Sequence, residues 1–322
     1  MMLVYMVPNI ELQLQKKHVE NGRVWREMGL AMIDLKLPSP IDEFKFNNRL
    51  FFVKRDDLIN EEFSGNKARK LYGLLKGDFN HIKRVVSYGS NQSNLMYSLS
   101  VLAKLKGWDF IYYTDHIPSY LKLNPIGNYA KALQNGTKFV VGEKFINKSS
   151  FDTLCIPEGG RSILAQEGVE ILAKEILKWK NDKDLDIFLP SGTGTTALFL
   201  SKALIERDSN IKVYTTPCVG DKEYLFRQFQ ELEKDSKYYP VVLDLDKKYH
   251  FGKLYKEFYQ IWLELQKSGI VFDMLYDPKG WIVVTKYQDI FEKKLLYIHQ
   301  GGLLGNSSML QRYIRKYPQT EG

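Results

Sequence analysis

Lys67 is the residue whose type and setting point most directly to chemistry. It lies in Phe63-Ser64-Gly65-Asn66-Lys67-Ala68-Arg69-Lys70-Leu71, behind a flexible Ser-Gly-Asn turn and at the start of an expected helix, with Arg69 and Lys70 close by. Cationic neighbours and a helix N-terminus both disfavour a protonated amine. A lysine kept neutral in this way is the kind that forms Schiff bases with carbonyl compounds. A solvated basic surface would carry the same residue types, so this segment does not decide alone.

Three further segments join it. Ser87-Tyr88-Gly89-Ser90-Asn91-Gln92-Ser93-Asn94 follows an expected strand, Arg84 to Ser87, and precedes a helix-like run, Leu95 to Lys106. Unpaired N–H groups at such a handover can hold a carboxylate. Ser93 or Asn94 would serve equally as an ordinary helix cap. Pro190-Ser191-Gly192-Thr193-Gly194-Thr195-Thr196 stands between the apolar run Asp186 to Leu189 and a helix-like run, Ala197 to Ile205. Alternating Gly and Thr lets the main chain form a nest of N–H donors, to which the hydroxyls add, and that is a phosphate cradle. It has neither the lysine of a Walker loop nor the glycine spacing of a dinucleotide site. A plain strand-to-helix turn is the other reading. The last segment, Leu295-Leu296-Tyr297-Ile298-His299-Gln300-Gly301-Gly302, is a strand running into a glycine pair. Its lone histidine reads as structural.

In this order the four segments resemble the fold-type II pyridoxal-phosphate enzymes. More narrowly, the chain is similar to the family of 1-aminocyclopropane-1-carboxylate deaminase and D-cysteine desulfhydrase. The similarity runs from Lys54-Arg55-Asp56-Asp57-Leu58 to Gly302, with Gly127-Asn128, Gly136, Ile156-Pro157-Glu158-Gly159-Gly160 and Leu275-Tyr276-Asp277-Pro278-Lys279 as further pieces. Ser-Gly-Asn-Lys joined to Gln-Ser-Asn is specific at the level of the family; a Gly-Thr-Gly-Thr loop by itself is not.

The resemblance implies pyridoxal 5'-phosphate as cofactor, held by Lys67 as a Schiff base. It implies Gly192, Thr193, Gly194, Thr195 and Thr196 around the phosphate, with Lys70 reaching it too. Asn94 would bond the ring oxygen, and Asp277 would face the ring nitrogen. Ser93, with Gln92 and the N–H groups around them, would hold the substrate carboxylate. Tyr276 would lie near ring and substrate as acid or nucleophile, and Gln300 would line the substrate side. Lys67, Ser93 and Tyr276 form the expected catalytic set, with no metal. Physically, a carboxylate at Asp277 would keep the ring nitrogen protonated and strengthen the ring as an electron sink. Asp277 would otherwise simply open a turn with Pro278.

Three positions depart from the family pattern. Leu95 stands where Gln or His is usual, and Gln300 where the deaminases resemble Leu and the desulfhydrases Thr. Phe251-Gly252 replaces Tyr-Gly, whose hydroxyl matters for ring opening, unless Tyr249 or Tyr255 supplies one. D-Cysteine has an α-proton that a freed Lys67 can remove as general base. Aminocyclopropane carboxylate has none, so a missing tyrosine weakens ring opening more than elimination. The expected reaction is therefore β-elimination on a small D-amino acid, giving a 2-oxo acid and ammonia, with ring opening as the alternative. A non-catalytic α/β protein that binds a phosphate ligand is the rival of another class.

Length, 322 residues, suggests two units. Composition is 44% hydrophobic and 26% charged, that of an ordinary soluble globular protein. No apolar run approaches the roughly 20 residues of a membrane helix. Met1 to Val7 is apolar but short, has no basic region ahead of it and meets Pro8, so no secretory signal is expected. Cys155 and Cys218 show neither metal nor disulfide spacing and are expected to pack as small buried residues in a reducing cytoplasm. The net charge of +8 is spread among acids with no aromatic-basic stripe. It reads as solvated surface that draws in anionic ligands, not as a nucleic-acid site.

Short apolar strands alternate with amphipathic stretches, as in Val169, Leu172, Ala173, Ile176 and Leu177 on one helical face. That pattern predicts an α/β fold with open parallel sheets. The resemblance specifies the tryptophan synthase β-subunit-like arrangement and a homodimer. Residues 70–151 would form a small α/β domain; 1–69 and 152–322 would form a discontinuous cofactor-binding domain. Lys279 to Thr285 reads as strand from its β-branched residues, whereas the resemblance implies a helix, which is the expectation adopted.

Overall fold

Leu185–Ser191 is apolar almost throughout and buried at every position, so it can only be an interior strand covered on both faces. The fold is built around two sheets of such strands. A computed structural model describes residues 33–318 apart from 148, 208, 209 and 292. The Met1 to Val7 segment read for a secretory signal lies outside the described residues.

In chain order the elements are β1 Ile41–Phe46, β2 Arg49–Arg55, α1 Gly65–Lys70, α2 Tyr72–Lys76, β3 Arg84–Tyr88, α3 Asn94–Lys106, β4 Asp109–Thr114, α4 Ser119–Leu123, α5 Gly127–Gln134, β5 Lys138–Val141 and β6 Thr153–Ile156. There follow α6 Gln166–Lys180, β7 Leu185–Ser191, α7 Thr195–Ile205, β8 Val213–Pro217, α8 Lys222–Leu232, β9 Val241–Val242, α9 Lys256–Gln266, α10 Asp277–Lys286, β10 Lys294–His299 and α11 Asn306–Lys316.

The larger sheet has the order β1-β2-β10-β7-β8-β9. It is parallel except where β1 pairs antiparallel with β2. The smaller, β5-β4-β3-β6, is wholly parallel. Strands from before and after the small sheet therefore meet in the large one. The edge strand β6 pairs with β3 through Arg84↔Thr153 to Ser87↔Ile156, so the small sheet takes in residues that follow 151. Hydrogen bonding to β3 holds that segment, and nothing local in the sequence marks it.

The large core packs α6 and α7 against β7, with Val169, Leu172, Ala173 and Ile176 all inaccessible to solvent, as their helical spacing predicts. A second core fills the small unit around Leu99, Leu102, Val85 and Tyr112. At the sheet edge β9 closes after Val242. Leu243 still donates to the Thr215 carbonyl, but Asp244 turns inward to accept from Lys279 Nζ at 2.9 Å.

Lys279 to Thr285 is helical, inside α10. Asp273 accepts from the N–H groups of Leu275 and Tyr276 at 2.6 and 2.7 Å and so caps the entry, and Pro278 stands in the first turn. Trp281, Val283 and Val284 are fully buried, and that burial outweighs the β-propensity of the segment. Cys218 is buried as expected; Cys155 is only half-buried on β6, and both are free thiols.

Candidate active site

The loops beyond the carboxyl ends of β3, β6, β7 and β10 converge with the start of α1, the place where parallel α/β sheets bind ligands. Gly65 shows how closely they approach. Its φ is +64°, and a Cβ on it would lie 1.8 Å from the Gln300 carbonyl oxygen. Asn66 N–H donates to that same oxygen at 3.0 Å. Gly65→Ala is expected to cost about 2–5 kcal/mol, summing the left-handed conformation and the overpacking; an unchanged urea midpoint would refute this.

This contact aims Lys67. Its Nζ donates to Asn66 Oδ1 at 3.2 Å. Lys67 is half-buried, and desolvation of its amine lowers its pKa to about 8. The sequence reading attributed such an effect partly to Arg69, and here the structure corrects it. Arg69 turns away into the interior, donating to Asp56 at 2.7 and 3.0 Å and to Glu175 at 2.8 Å through two nitrogens. Burial, not a cationic neighbour, lowers Lys67.

Lys70 is deeply buried, and its Nζ donates to the Gly159 carbonyl at 2.9 Å. Burial first, and the charge of nearby Lys67 second, push its pKa well down. Gly159 in turn abuts Thr193, whose Oγ1 would sit 2.9 Å from a Cβ there. Lys70 thus reaches the Gly-Thr loop through Gly159, and Lys67 is near enough for its charge to act on Lys70. Leu95 packs beside them, within 3.3 Å of a Cβ on Gly160. The polar residue usual there is replaced by an apolar wall.

The loop itself passes from β7 through Gly192 and a left-handed Gly194 into α7. Thr193 Oγ1 and Thr195 Oγ1 are 3.0 Å apart. Thr196 Oγ1 is buried with no hydrogen-bond partner. An orphaned hydroxyl and the open N–H groups of the first turn of a helix form a donor set that suits a phosphate dianion. Tyr276 faces this loop: a Cβ on Gly192 would lie 3.3 Å from its hydroxyl. Burial pushes the Tyr276 phenol far up, which leaves it a proton donor and not a phenolate at neutral pH.

Asp277 lies at the base, 1% exposed. Its Oδ1 accepts from the Tyr297 hydroxyl at 2.7 Å and its Oδ2 from Asp273 N–H at 2.9 Å. Burial raises its pKa to about 6, and burial followed by the charge of Asp277 raises Asp273 well above the carboxylate range. A carboxylate stripped of water in this way favours a cationic partner, such as a protonated ring nitrogen. Asp277 does open α10 beside Pro278, so the turn reading also holds.

Ser93 caps α3, accepting from Met96 N–H at 3.3 Å. Asn94 Oδ1 accepts from Asn128 Nδ2 at 2.7 Å, and its own Nδ2 would lie 2.5 Å from a Cβ on Gly302. Gln92 is otherwise engaged: Nε2 donates to the Ile126 carbonyl at 3.1 Å and Oε1 accepts from Tyr129 N–H at 3.4 Å. Both ends of the Gln300 amide are likewise taken, by Asn66 and Pro190. His299 is structural: Nε2–H donates to the Val271 carbonyl at 2.7 Å and Nδ1 accepts from Gly301 N–H at 3.2 Å.

The Phe251 ring packs at a tilt against the Tyr276 ring, their centroids 5.2 Å apart. The two neighbouring tyrosines have partners of their own. Tyr249 O–H donates to Glu257 at 3.2 Å, and Tyr255 accepts from His250 N–H at 2.9 Å. Sequence reasoning missed Asn66, Gly159 and Asp273 as parts of the site. Asn66 was in view, next to the lysine; the other two are brought in by folding.

No family model matches the chain. It is 26% identical over 316 residues to the bifunctional D-cysteine desulfhydrase/1-aminocyclopropane-1-carboxylate deaminase, mitochondrial, of Arabidopsis thaliana, covering 84% of this chain and 77% of that one. The chain is similar to the 1-aminocyclopropane-1-carboxylate deaminase and D-cysteine desulfhydrase proteins. The crystal structure of an ACC deaminase homologue superposes on it with a TM-score of 0.70 at 23% identity, covering 95% of this chain and 99% of the other. A hydrogen sulfide-producing enzyme from Fusobacterium nucleatum matches with a TM-score of 0.58 at 15% identity, over 84% and 97%. The fold is that of the type II pyridoxal-phosphate enzymes. Within it, this chain keeps the lysine turn and the Gly-Thr loop together, and sets Phe251, Leu95 and Gln300 around them.

Proposed function

We propose that the chain is a pyridoxal-phosphate-dependent enzyme that deaminates a small amino acid to a 2-oxo acid and ammonia, by β-elimination of the D-cysteine desulfhydrase type. The observation that carries this is Lys67: a half-buried amine of depressed basicity, close to Lys70 and tied through Asn66 and Gln300 to the strand end that leads into a hydroxyl-rich loop. The donor set described above fits the cofactor. Thr193, Thr195, Thr196 and the N–H groups of Gly192 to Thr196 would hold its phosphate, Lys67 its carbonyl carbon, Asn94 its ring oxygen and Asp277 its ring nitrogen. When bound, the cofactor supplies an electron sink that acidifies the substrate Cα–H.

The remaining tasks fall to this chain. Ser93 and the N–H groups at the start of α3 fix the substrate carboxylate, which orients the α-proton. Lys67, as a free amine, takes that proton. For D-cysteine the Cβ–S bond then breaks, sulfide leaves, and hydrolysis yields pyruvate and ammonia. Tyr276, which keeps its proton at neutral pH, can hydrogen-bond the departing sulfur, while the proton taken up by Lys67 is available to it.

Ring opening of aminocyclopropane carboxylate is the second reading, favoured by the acid at Asp277. Against it stand Phe251 and the engaged hydroxyls of Tyr249 and Tyr255. Phe251→Tyr is expected to raise 2-oxobutanoate release from the cyclopropane at least several-fold while changing pyruvate release from D-cysteine little; equal effects on both would refute the distinction. An oxo-acid assay over D-cysteine, L-cysteine, D-serine, β-chloro-D-alanine and aminocyclopropane carboxylate tests the reading. Pyruvate from D-cysteine without 2-oxobutanoate from the cyclopropane is the expected pattern, and no oxo acid from any of them would sink it. A homodimer and a cytoplasmic location are part of the same proposal, to be checked by sedimentation and fractionation. Among the described residues no helix is long and apolar enough to cross a membrane.

A further inference from the structure

We propose that Gln300 is a positioning residue: its side-chain amide, anchored on the Pro190 carbonyl, sets the orientation of Asn66 and thereby aims the Lys67 amine. This rests on the reading of Lys67 as the reactive amine given above. It assigns Gln300 a task other than the substrate contact expected of it.

One group in the chain of contacts cannot be turned round. The Pro190 carbonyl oxygen is an acceptor only. Gln300 Nε2 lies 2.5 Å from it, so the amide must point its nitrogen there and its oxygen the other way. That oxygen, Oε1, lies 3.0 Å from Asn66 Nδ2. An acceptor presented to Asn66 fixes the second amide with its nitrogen towards Gln300 and its oxygen towards Lys67. Asn66 Oδ1 then takes a hydrogen from Lys67 Nζ at 3.2 Å. A neutral amine that spends one N–H on a fixed acceptor has its lone pair directed away from that acceptor. Three hydrogen bonds thus carry the polarity of a strand carbonyl to the nitrogen that does the chemistry.

Pro190 is the residue from which the chain enters Ser191 and the Gly-Thr loop. The relay therefore ties the amine to the same strand end that bears the phosphate cradle. It is also separable from the packing around it. The backbone bond from Asn66 N–H to the Gln300 oxygen, and the close seat of Gly65 on that oxygen, do not involve the Gln300 side chain. Replacing the side chain should leave the two segments joined and release only the amides.

The test reads Lys67 itself and needs no turnover. Full-length protein, freed of bound small molecules, is treated with formaldehyde and cyanoborohydride over a pH series, and peptide mass spectrometry follows methylation at residues 67 and 70. In the wild type, Lys67 should label ahead of surface lysines, with a midpoint near about 8. Gln300→Met, which keeps the length and loses the amide, should lower the high-pH plateau rate at Lys67 about tenfold, because the amine is no longer aimed. It should also move the midpoint down, because the ammonium form loses a fixed acceptor. Gln300→Glu should move the midpoint up, since a negative charge at the end of the relay favours the ammonium. Lys70, held by the Gly159 carbonyl, should be unchanged in both. Gln300→Leu serves the same purpose if the Met variant is insoluble.

An unchanged plateau and midpoint in the Met variant would overturn the relay. So would shifts of the same sign in the Met and Glu variants, the mark of general loosening. Wild-type Lys67 that labels no faster than surface lysines would end the reading of Lys67 and the relay with it.

Discussion

Lys67→Ala protein is expected to lose at least about a thousandfold of oxo-acid production from its best substrate, towards the upper end of what a positioned general base contributes. Borohydride reduction of the wild type in the presence of pyridoxal phosphate should fix the pyridoxyl group to the peptide carrying residue 67 and to no other. The rival nucleophile is Lys70. Burial depresses both lysines, and Lys70 the more strongly. Basicity therefore does not choose between them; access does. Lys70 is 4% exposed and its nitrogen is held by a main-chain carbonyl, so an aldehyde would have to displace that bond inside the core. Lys67 is half-buried and, among the described residues, its nitrogen bonds to the side chain next to it. Lys70→Ala should accordingly keep fixation at residue 67 while weakening retention of the phosphate. If the label moves to Lys70, or if Lys67→Ala retains wild-type turnover, the proposed chemistry is wrong.

Local features were legible in the sequence and long-range ones were not. The strands Leu185–Ser191 and Lys294–His299 lie where short apolar runs place them, because burial on both faces leaves a local mark. The lysine turn and the glycine-threonine loop are local too, and the Gln300 amide bridges Asn66 in the first to Pro190 at the head of the second. What was not legible lies in pairings across long separations. Nothing near Thr153 says that its segment adds to β3, 69 residues earlier by the register Arg84↔Thr153. Nothing near Gln300 says that its amide joins Asn66 to Pro190. For Lys279 to Thr285 the local signal pointed to strand, and a cap from Asp273 with burial of Trp281 overrode it.

Arg69 is the sharpest case, and it carries the largest expected effect on stability. Its position two residues after Lys67 suggested a cation that acts on the amine. In the structure it is 1% exposed and spans two carboxylates, Asp56 on one side and Glu175 on the other. Lys54 Nζ adds a 2.7 Å contact to Glu175 and a 2.6 Å bond to the Ser39 carbonyl, while Ser39 Oγ donates to Asp56 at 2.6 Å. Two cations thus face two anions in the interior, and the cluster is neutral. It joins α1, α6, β2 and the segment ahead of β1. Taken whole, such a cluster adds little to stability over an apolar equivalent, because desolvation offsets attraction. Broken, it leaves an uncompensated buried charge. Arg69→Leu removes one cation and strands Asp56 and part of Glu175, so unfolding free energy should fall by about 3–5 kcal/mol. Arg69→Lys keeps the charge but cannot fork to both carboxylates, and should cost less. Because α1 carries Lys67 on the same short helix, the Leu variant should also lose cofactor fixation in step with its loss of structure. Urea unfolding followed by circular dichroism measures the first effect. A Leu variant within about 1 kcal/mol of wild type would show that neighbouring groups or water neutralise the site without Arg69, and α1 would then owe its position to the Gly65–Gln300 contact alone.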